Sequence, residues 1–121
     1  MTLRFDIPGR PVTWKRTVSI GKRRVTPAAM KAAKRHVQLR ALQARPDGWP
    51  LDARYALEVV AHLANHAAEG DWDNYGKLIS DALEGIAYRN DRQVDDARCR
   101  KVFGDGEPRT EIALDVLEDS A

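Results

Sequence analysis

Tyr55-Ala56-Leu57-Glu58-Val59-Val60-Ala61-His62-Leu63-Ala64 sets the architecture of this chain. Tyr55, Leu57, Val59, Ala61 and Leu63 alternate with Ala56, Glu58, Val60, His62 and Ala64, the period of two that a long β-strand requires. Past the polar loop Asn65 to Gly70 the period changes. Tyr75, Leu78, Ile79, Ala82, Leu83 and Ile86 recur at helical spacing, which predicts a helix from about Asn74 to Glu84 with Gly85 just beyond its C-terminus. On the N-terminal side, Pro46-Asp47-Gly48-Trp49-Pro50 is a turn cluster, and before it Met30, Ala33, Val37, Ala41 and Ala44 mark the buried face of a helix reaching Ala44. Thr26-Pro27 reads as its N-cap and first helical residue, and Lys31, Lys34, Arg35 and Arg40 fall mostly on its exposed side.

Shorter strands complete the set. Leu3 to Ile7 is one, turned away by Pro8-Gly9-Arg10-Pro11, and Thr17 to Ile20 pairs with Arg23 to Thr26 across Gly21-Lys22, where glycine at the first central position predicts a type II′ hairpin. Two more strands, Ala97 to Phe103 and Arg109 to Leu117, flank Gly104-Asp105-Gly106-Glu107-Pro108. Helices and strands intermix in a chain of 121 residues, a length that buries one core. The expected architecture is α+β, one domain over residues 1–121, a mixed sheet with two helices packed on it.

Charge is segregated along the chain. Through Arg45 there are 12 Lys and Arg against the single acid Asp6, whereas the remainder holds 8 against 17 acids, so +11 and −9 hide beneath a net charge of +2. Such a basic segment is the electrostatic footprint of phosphate binding, and is equally a solvated face or an anchor for acidic protein surfaces. The lone Cys99 excludes an internal disulfide and suits a reducing compartment. No apolar run approaches the roughly 18 residues of a membrane span, and Met1 to Asp6 lacks a signal-like apolar core, so the expected location is cytoplasmic, away from the membrane.

Chemistry concentrates in Asp71-Trp72-Asp73-Asn74-Tyr75-Gly76-Lys77, with Asp91 following in the loop after the second helix. If Asp71 to Asp73 is extended, the two carboxylates project to the same side, and a loop that folds back adds Asp91. Three carboxylates together repel unless a cation lies among them, and hard divalent ions prefer such oxygens. A bound ion of this kind activates water and neutralises charge on a phosphodiester. The bland alternative makes Asp73 an N-cap, Asp73 and Lys77 an i,i+4 ion pair, and Asp91 a turn residue.

Together with Asp81-Ala82-Leu83, Gly85 and Asp91-Arg92-Gln93-Val94, this segment resembles the signature of the RusA family of Holliday junction resolvases, common in prophages. That signature runs Asp-x-Asp-Asn-x-x-Lys, then Asp-Ala-Leu, then Asp-Asp-x-Gln-Val. Pro11, Lys15-Arg16, the basic hairpin and the Thr-Pro helix start resemble the family's opening more loosely. The resemblance implies a RusA-like fold and a Mg²⁺-dependent endodeoxyribonuclease, with Mn²⁺ able to substitute. It would act as a homodimer that resolves four-way junction DNA by symmetric cuts in recombination and repair. It makes Asp71, Asp73 and Asp91 the metal-binding catalytic acids and Lys77 the group that stabilises the phosphate or orients water. Where the family has two consecutive acids before Gln-Val, this chain has Asn90-Asp91, with Asp95-Asp96 downstream. Alignment on Gln93-Val94 selects Asp91, while a shifted loop would substitute Asp95.

Lys15, Arg16, Lys22, Arg23 and Arg24 are the expected nucleic-acid contacts, and ordinary solvated charge is the alternative for all five. Trp14 is either a core residue on a short strand or a stacking platform. Asp81 is expected to be structural, Asn74 either a cap or a partner of the site, and Cys99 packed. His62 and His66 lack zinc-motif spacing. Two other functions stand beside the resolvase: a metal-dependent nuclease for other branched nucleic acids, and a non-catalytic nucleic-acid-binding dimer.

Overall fold

The computed structural model describes residues 1–15, 18–20, 23–25 and 27–117. In chain order the elements are β1 (Thr2–Pro8), β2 (Val18–Ile20), β3 (Arg23–Val25), α1 (Ala28–Ala44), β4 (Arg54–Leu63), α2 (Trp72–Leu83), β5 (Val94–Phe103) and β6 (Arg109–Leu117). Short 3₁₀ turns occupy His66–Ala68 and Asp91–Gln93. β2 and β3 form a separate antiparallel hairpin, and the main sheet has the order β1-β6-β4-β5. Among the described strands only β4 and β5 pair parallel, so the sheet is mixed and the fold is α+β with two helices.

The strand register separates the two faces. Leu3, Leu114 and Leu57 lie abreast on one of them, as do Phe5, Ile112 and Val59, and this face forms a single core with Met30, Val37 and Ala41 of α1 and Leu78, Ile79, Ala82 and Leu83 of α2. The opposite face presents Arg4, Asp6 and Glu58 to solvent. Along β4 the alternation of burial stops at Val59, after which Val60, Ala61, His62 and Leu63 are all buried. An interior strand is covered from both sides, by β5 and by β6.

The helix starts differ by a residue or two from the sequence reading. Pro27 is the N-cap of α1 rather than its first residue, with its carbonyl accepting from Met30 and Lys31. Thr26 and the Gly21-Lys22 turn lie outside the described residues. β5 begins at Val94, three residues before the expected Ala97, through a bulge opposite Tyr55 that leaves Asp95 without a register partner on β4.

The segment between α2 and β5 is held by directional bonds. Gly85 adopts φ 81°, as a glycine past a helix end does, and its N–H donates to Tyr88 O at 2.7 Å. Tyr88 is fully buried, and its hydroxyl bonds both the carbonyl (3.0 Å) and the Oγ (3.1 Å) of Ser80. Gln93 then ties the next turn down: its Oε1 accepts from the N–H groups of Arg89 and Asn90, while its Nε2 donates to Leu51 O and Ala53 O. Trp49 completes the clamp, donating from Nε1 to Ala87 O at 2.8 Å and stacking on Tyr55.

Candidate active site

Between α2 and β5 the structure opens a groove of about 470 Å³. Leu57 and Val59 of β4 form its floor; Trp72, Asp73, Lys77 and Asp81 of α2 form one wall; Arg98 and Cys99 of β5 form the other. Asp91 closes it from the 3₁₀ turn. Asp91 lines the same groove as Asp73, and the loop that carries it is held by the bonds just described, together with the Asp91 N–H donating to Glu84 Oε1 at 3.0 Å. Asn90, standing where the first of two acids was anticipated, accepts from the Arg92 N–H at 2.9 Å and so caps this turn.

Asp71 is placed elsewhere. The helix begins at Trp72, so Asp71 is the extended N-cap and Asp73 is already helical. Two residues across a helix start do not share a face, which corrects the expectation drawn from an extended Asp-x-Asp. Asp71 does not line the groove. Its charge instead acts on Lys101, whose ammonium donates to Glu69 Oε2 (2.7 Å) and Gly70 O (3.1 Å). The Lys101 pKa is raised, first by the bond to Glu69 and in smaller part by Asp71, and Glu69 is held below its ordinary value by the same bond.

Neither the capping nor the ion-pair reading of Asp73 matches the geometry. Asp71 is the N-cap, without a side-chain capping bond, and Lys77 lies with its Nζ 3.6 Å from the centroid of the Trp14 ring. Among the described residues, the side chains of Asp71, Asp73 and Asp91 enter no hydrogen bond or salt bridge. Asp81, expected to be structural, lines the groove and stands 3.8 Å from Lys34 Nζ. The sequence carried a signal for this, since Asp73, Lys77 and Asp81 follow at intervals of four on one helix face. Arg98 had no such signal, because a parallel strand pairing is invisible in local periodicity.

Asp95, the alternative to Asp91, accepts from the Arg54 guanidinium, whose Nε lies 3.1 Å from both carboxylate oxygens. That bond lowers the Asp95 pKa and keeps it out of the groove. Cys99 is packed as expected: its Sγ donates to Trp72 O at 2.8 Å, and burial raises its pKa. Neither His62 nor His66 lines the groove. His62 is buried, with Nε2 2.8 Å from Glu111 and Nδ1 3.4 Å from Asp105 but without hydrogen-bond directionality to either, and His66 stacks on Phe103.

Trp14 lies in the connection between β1 and β2 rather than on a strand, packed against the core with its N–H donating to Asn74 O at 2.9 Å. Gly70 admits this connection: a Cβ there would lie 2.7 Å from Thr13 Cγ2. Lys15 is exposed beside it, near Glu69 and Tyr75. Arg16 and Lys22 lie outside the described residues, as do the side chains of Arg23 and Arg24 on β3.

Carboxylate oxygens with no competing cation are the donors that Mg²⁺ or Mn²⁺ prefers, so the donor chemistry of Asp73 and Asp91 suits a hard ion. The spacing is open: among the described residues no three His, Cys, Asp or Glu side chains stand close enough to hold one ion. Residues 8–115 match the family described as Endodeoxyribonuclease RusA. The chain belongs to the RusA family. RusA membership implies Holliday junction resolvase activity, carried out by endodeoxyribonucleases that are generally divalent-metal dependent. The chain is also similar to the uncharacterized protein YqaN of Bacillus subtilis strain 168, with 29% identity over 135 aligned positions that cover 93% of this chain and 94% of the relative.

Proposed function

We propose that this RusA-family chain is a Mg²⁺-dependent, structure-selective endonuclease that resolves four-way DNA junctions by paired phosphodiester hydrolysis. One observation carries the reading: the groove gathers Asp73, Lys77 and Asp91 from two elements, with both carboxylates free of any protein cation among the described residues. Asp73 and Asp91 would hold the ion from the two sides of the groove, while Asp71, the third acid of the family signature, stands at the helix N-cap outside the groove lining. A bound divalent ion supplies an activated water and neutralises phosphate charge. Lys77, on the same wall as Asp73, offers its ammonium to a nonbridging phosphate oxygen. The apolar floor of Leu57 and Val59 limits water around the reacting phosphate and strengthens those charges.

The basic N-terminal third binds the DNA backbone, with Lys15, Arg16, Lys22, Arg23 and Arg24 as phosphate contacts. Two strands are cut symmetrically, so two copies of the groove are needed and the working species is a homodimer. Among the described residues no helix is long and apolar enough to cross a membrane, and the proposed place of action is the cytoplasm, in recombination and repair of cellular or prophage DNA.

Asp73→Asn tests the mechanism. Asp73 is not the cap, so the substitution removes only a charge from the first turn, worth about 0.3–1 kcal/mol. Wild type is expected to gain thermal stability from Mg²⁺ or Mn²⁺, since an ion bound only by the folded state shifts unfolding by mass action. The variant should lose most of that gain, bind a labelled junction in Ca²⁺ as wild type does, and leave it uncut in Mg²⁺. Full cleavage by Asp73→Asn would end the proposal.

A further inference from the structure

The ammonium of Lys77 reaches the groove from the exposed side of α2, where a four-carbon chain has many rotamers open to it. One of them is selected, the one that lays Nζ on the indole of Trp14 at 3.6 Å. An aromatic face attracts a cation through its quadrupole, and indole does so best. Trp14 is itself immobilised. Its ring packs against the core, its N–H is bonded to Asn74 O in the first turn of α2, and the following N–H, of Lys15, contacts Met30 Sδ at 3.1 Å. Gly70 gives the connection room to lie this close. The indole is therefore fixed to the same helix that carries Asp73 and Lys77.

We propose that Trp14 is the positioning residue for Lys77, its indole holding the ammonium at the groove edge in a single rotamer, ready to meet a phosphate oxygen. This rests on the nuclease reading above. A fixed ammonium meets the transferring phosphate without reorganising, so the loss of Trp14 should appear in the rate of cutting rather than in junction affinity. Lys15 and the basic hairpin, which grip the backbone, are untouched by the change.

Two measurements separate this from a packing role. In protein labelled with ¹³C at the lysine ε carbon, the Lys77 ε-protons are expected upfield of the other lysines, shifted by the indole ring current, and Lys77→Arg identifies the signal. Trp14→Leu should return that signal to the common lysine position and lower single-turnover cleavage by roughly three- to tenfold, the size of one lost cation–π contact, with the Kd for a junction in Ca²⁺ unchanged. Trp14→Phe, which keeps an aromatic face and covers the case in which the leucine variant does not fold, should retain a partial upfield shift and an intermediate rate. An unshifted Lys77 signal in wild type overturns the inference. So does a folded Trp14→Leu or Trp14→Phe variant that cuts as fast as a cutting wild type, and in both cases the nuclease reading stands. A wild type that cuts no junction overturns that reading, and this inference with it.

Discussion

Tyr88 shows how one buried side chain fixes the geometry of a site it does not enter. Its hydroxyl spans to Ser80 on the groove wall while its backbone carbonyl receives Gly85, so it anchors both ends of the turn that delivers Asp91. Burial pushes its pKa from 10.0 up to about 12, desolvation of the phenolate being the largest cause. A folded pKa above the unfolded one means the contribution is complete below pH 10.0 and is lost as pH rises toward about 12. Tyr88→Phe should therefore melt lower at neutral pH, by about 1–2 kcal/mol for the lost hydroxyl bonds, yet decline less than wild type through that alkaline window. Thermal melts at a series of pH values read both effects. Nothing in the sequence singled out Tyr88, because local periodicity does not show which tyrosine will find a buried partner eight residues away. That Asp73 and Lys77 share one groove was legible from their spacing of four on a helix, while their chemistry there is a proposal.

Helix α2 and the connection before β2 behave differently as objects of prediction. The stripe of α2 was readable to within two residues, because Leu78, Ile79, Ala82 and Leu83 must all meet the core. Its start was not. A shift of two residues moved Asp71 off the groove, and helix ends are where periodicity gives least information. The Arg10–Lys15 connection was unreadable for another reason: it has no regular period, and its position is set by how closely it can approach Gly70. Gly70→Ala places a Cβ against Thr13 Cγ2 and should destabilise the fold by about 1–3 kcal/mol through overpacking. Adding Thr13→Ser removes the offending methyl and should recover most of that loss. A double-mutant cycle in urea checks the coupling, and strictly additive effects would show that the two residues do not meet.

For the whole molecule, charge and topology were read with unequal success. Segregation of charge left a phosphate partner, a solvated face and an acidic protein surface equally open, and membership of the RusA family, which acts on junction DNA, favours the first. The mixed sheet followed from the alternation of strands and helices, whereas its order and the parallel β4–β5 pair had no signature along the chain. Among the described residues one such groove lies between α2 and β5, so the proposed symmetric cutting calls for two copies held in a fixed relation. Sedimentation at micromolar concentration should give twice the 13.6 kDa chain mass, and a monomer that persists with junction DNA would count against paired cutting.

The sheet order also has a bearing on synthesis. β6, the most C-terminal of the described strands, lies between β1, the most N-terminal, and β4. A chain still on the ribosome with only β5 emerged has one flank of β4 open to water, and its opening strand has no neighbour in the main sheet. The crossover from β4 through α2 to β5 can close by then, so the acidic groove is complete in sequence before the sheet beneath it is. The opening strand β1, by contrast, joins that sheet only when β6 slots between the two halves, so the strand link between the basic first third and the groove waits on β6.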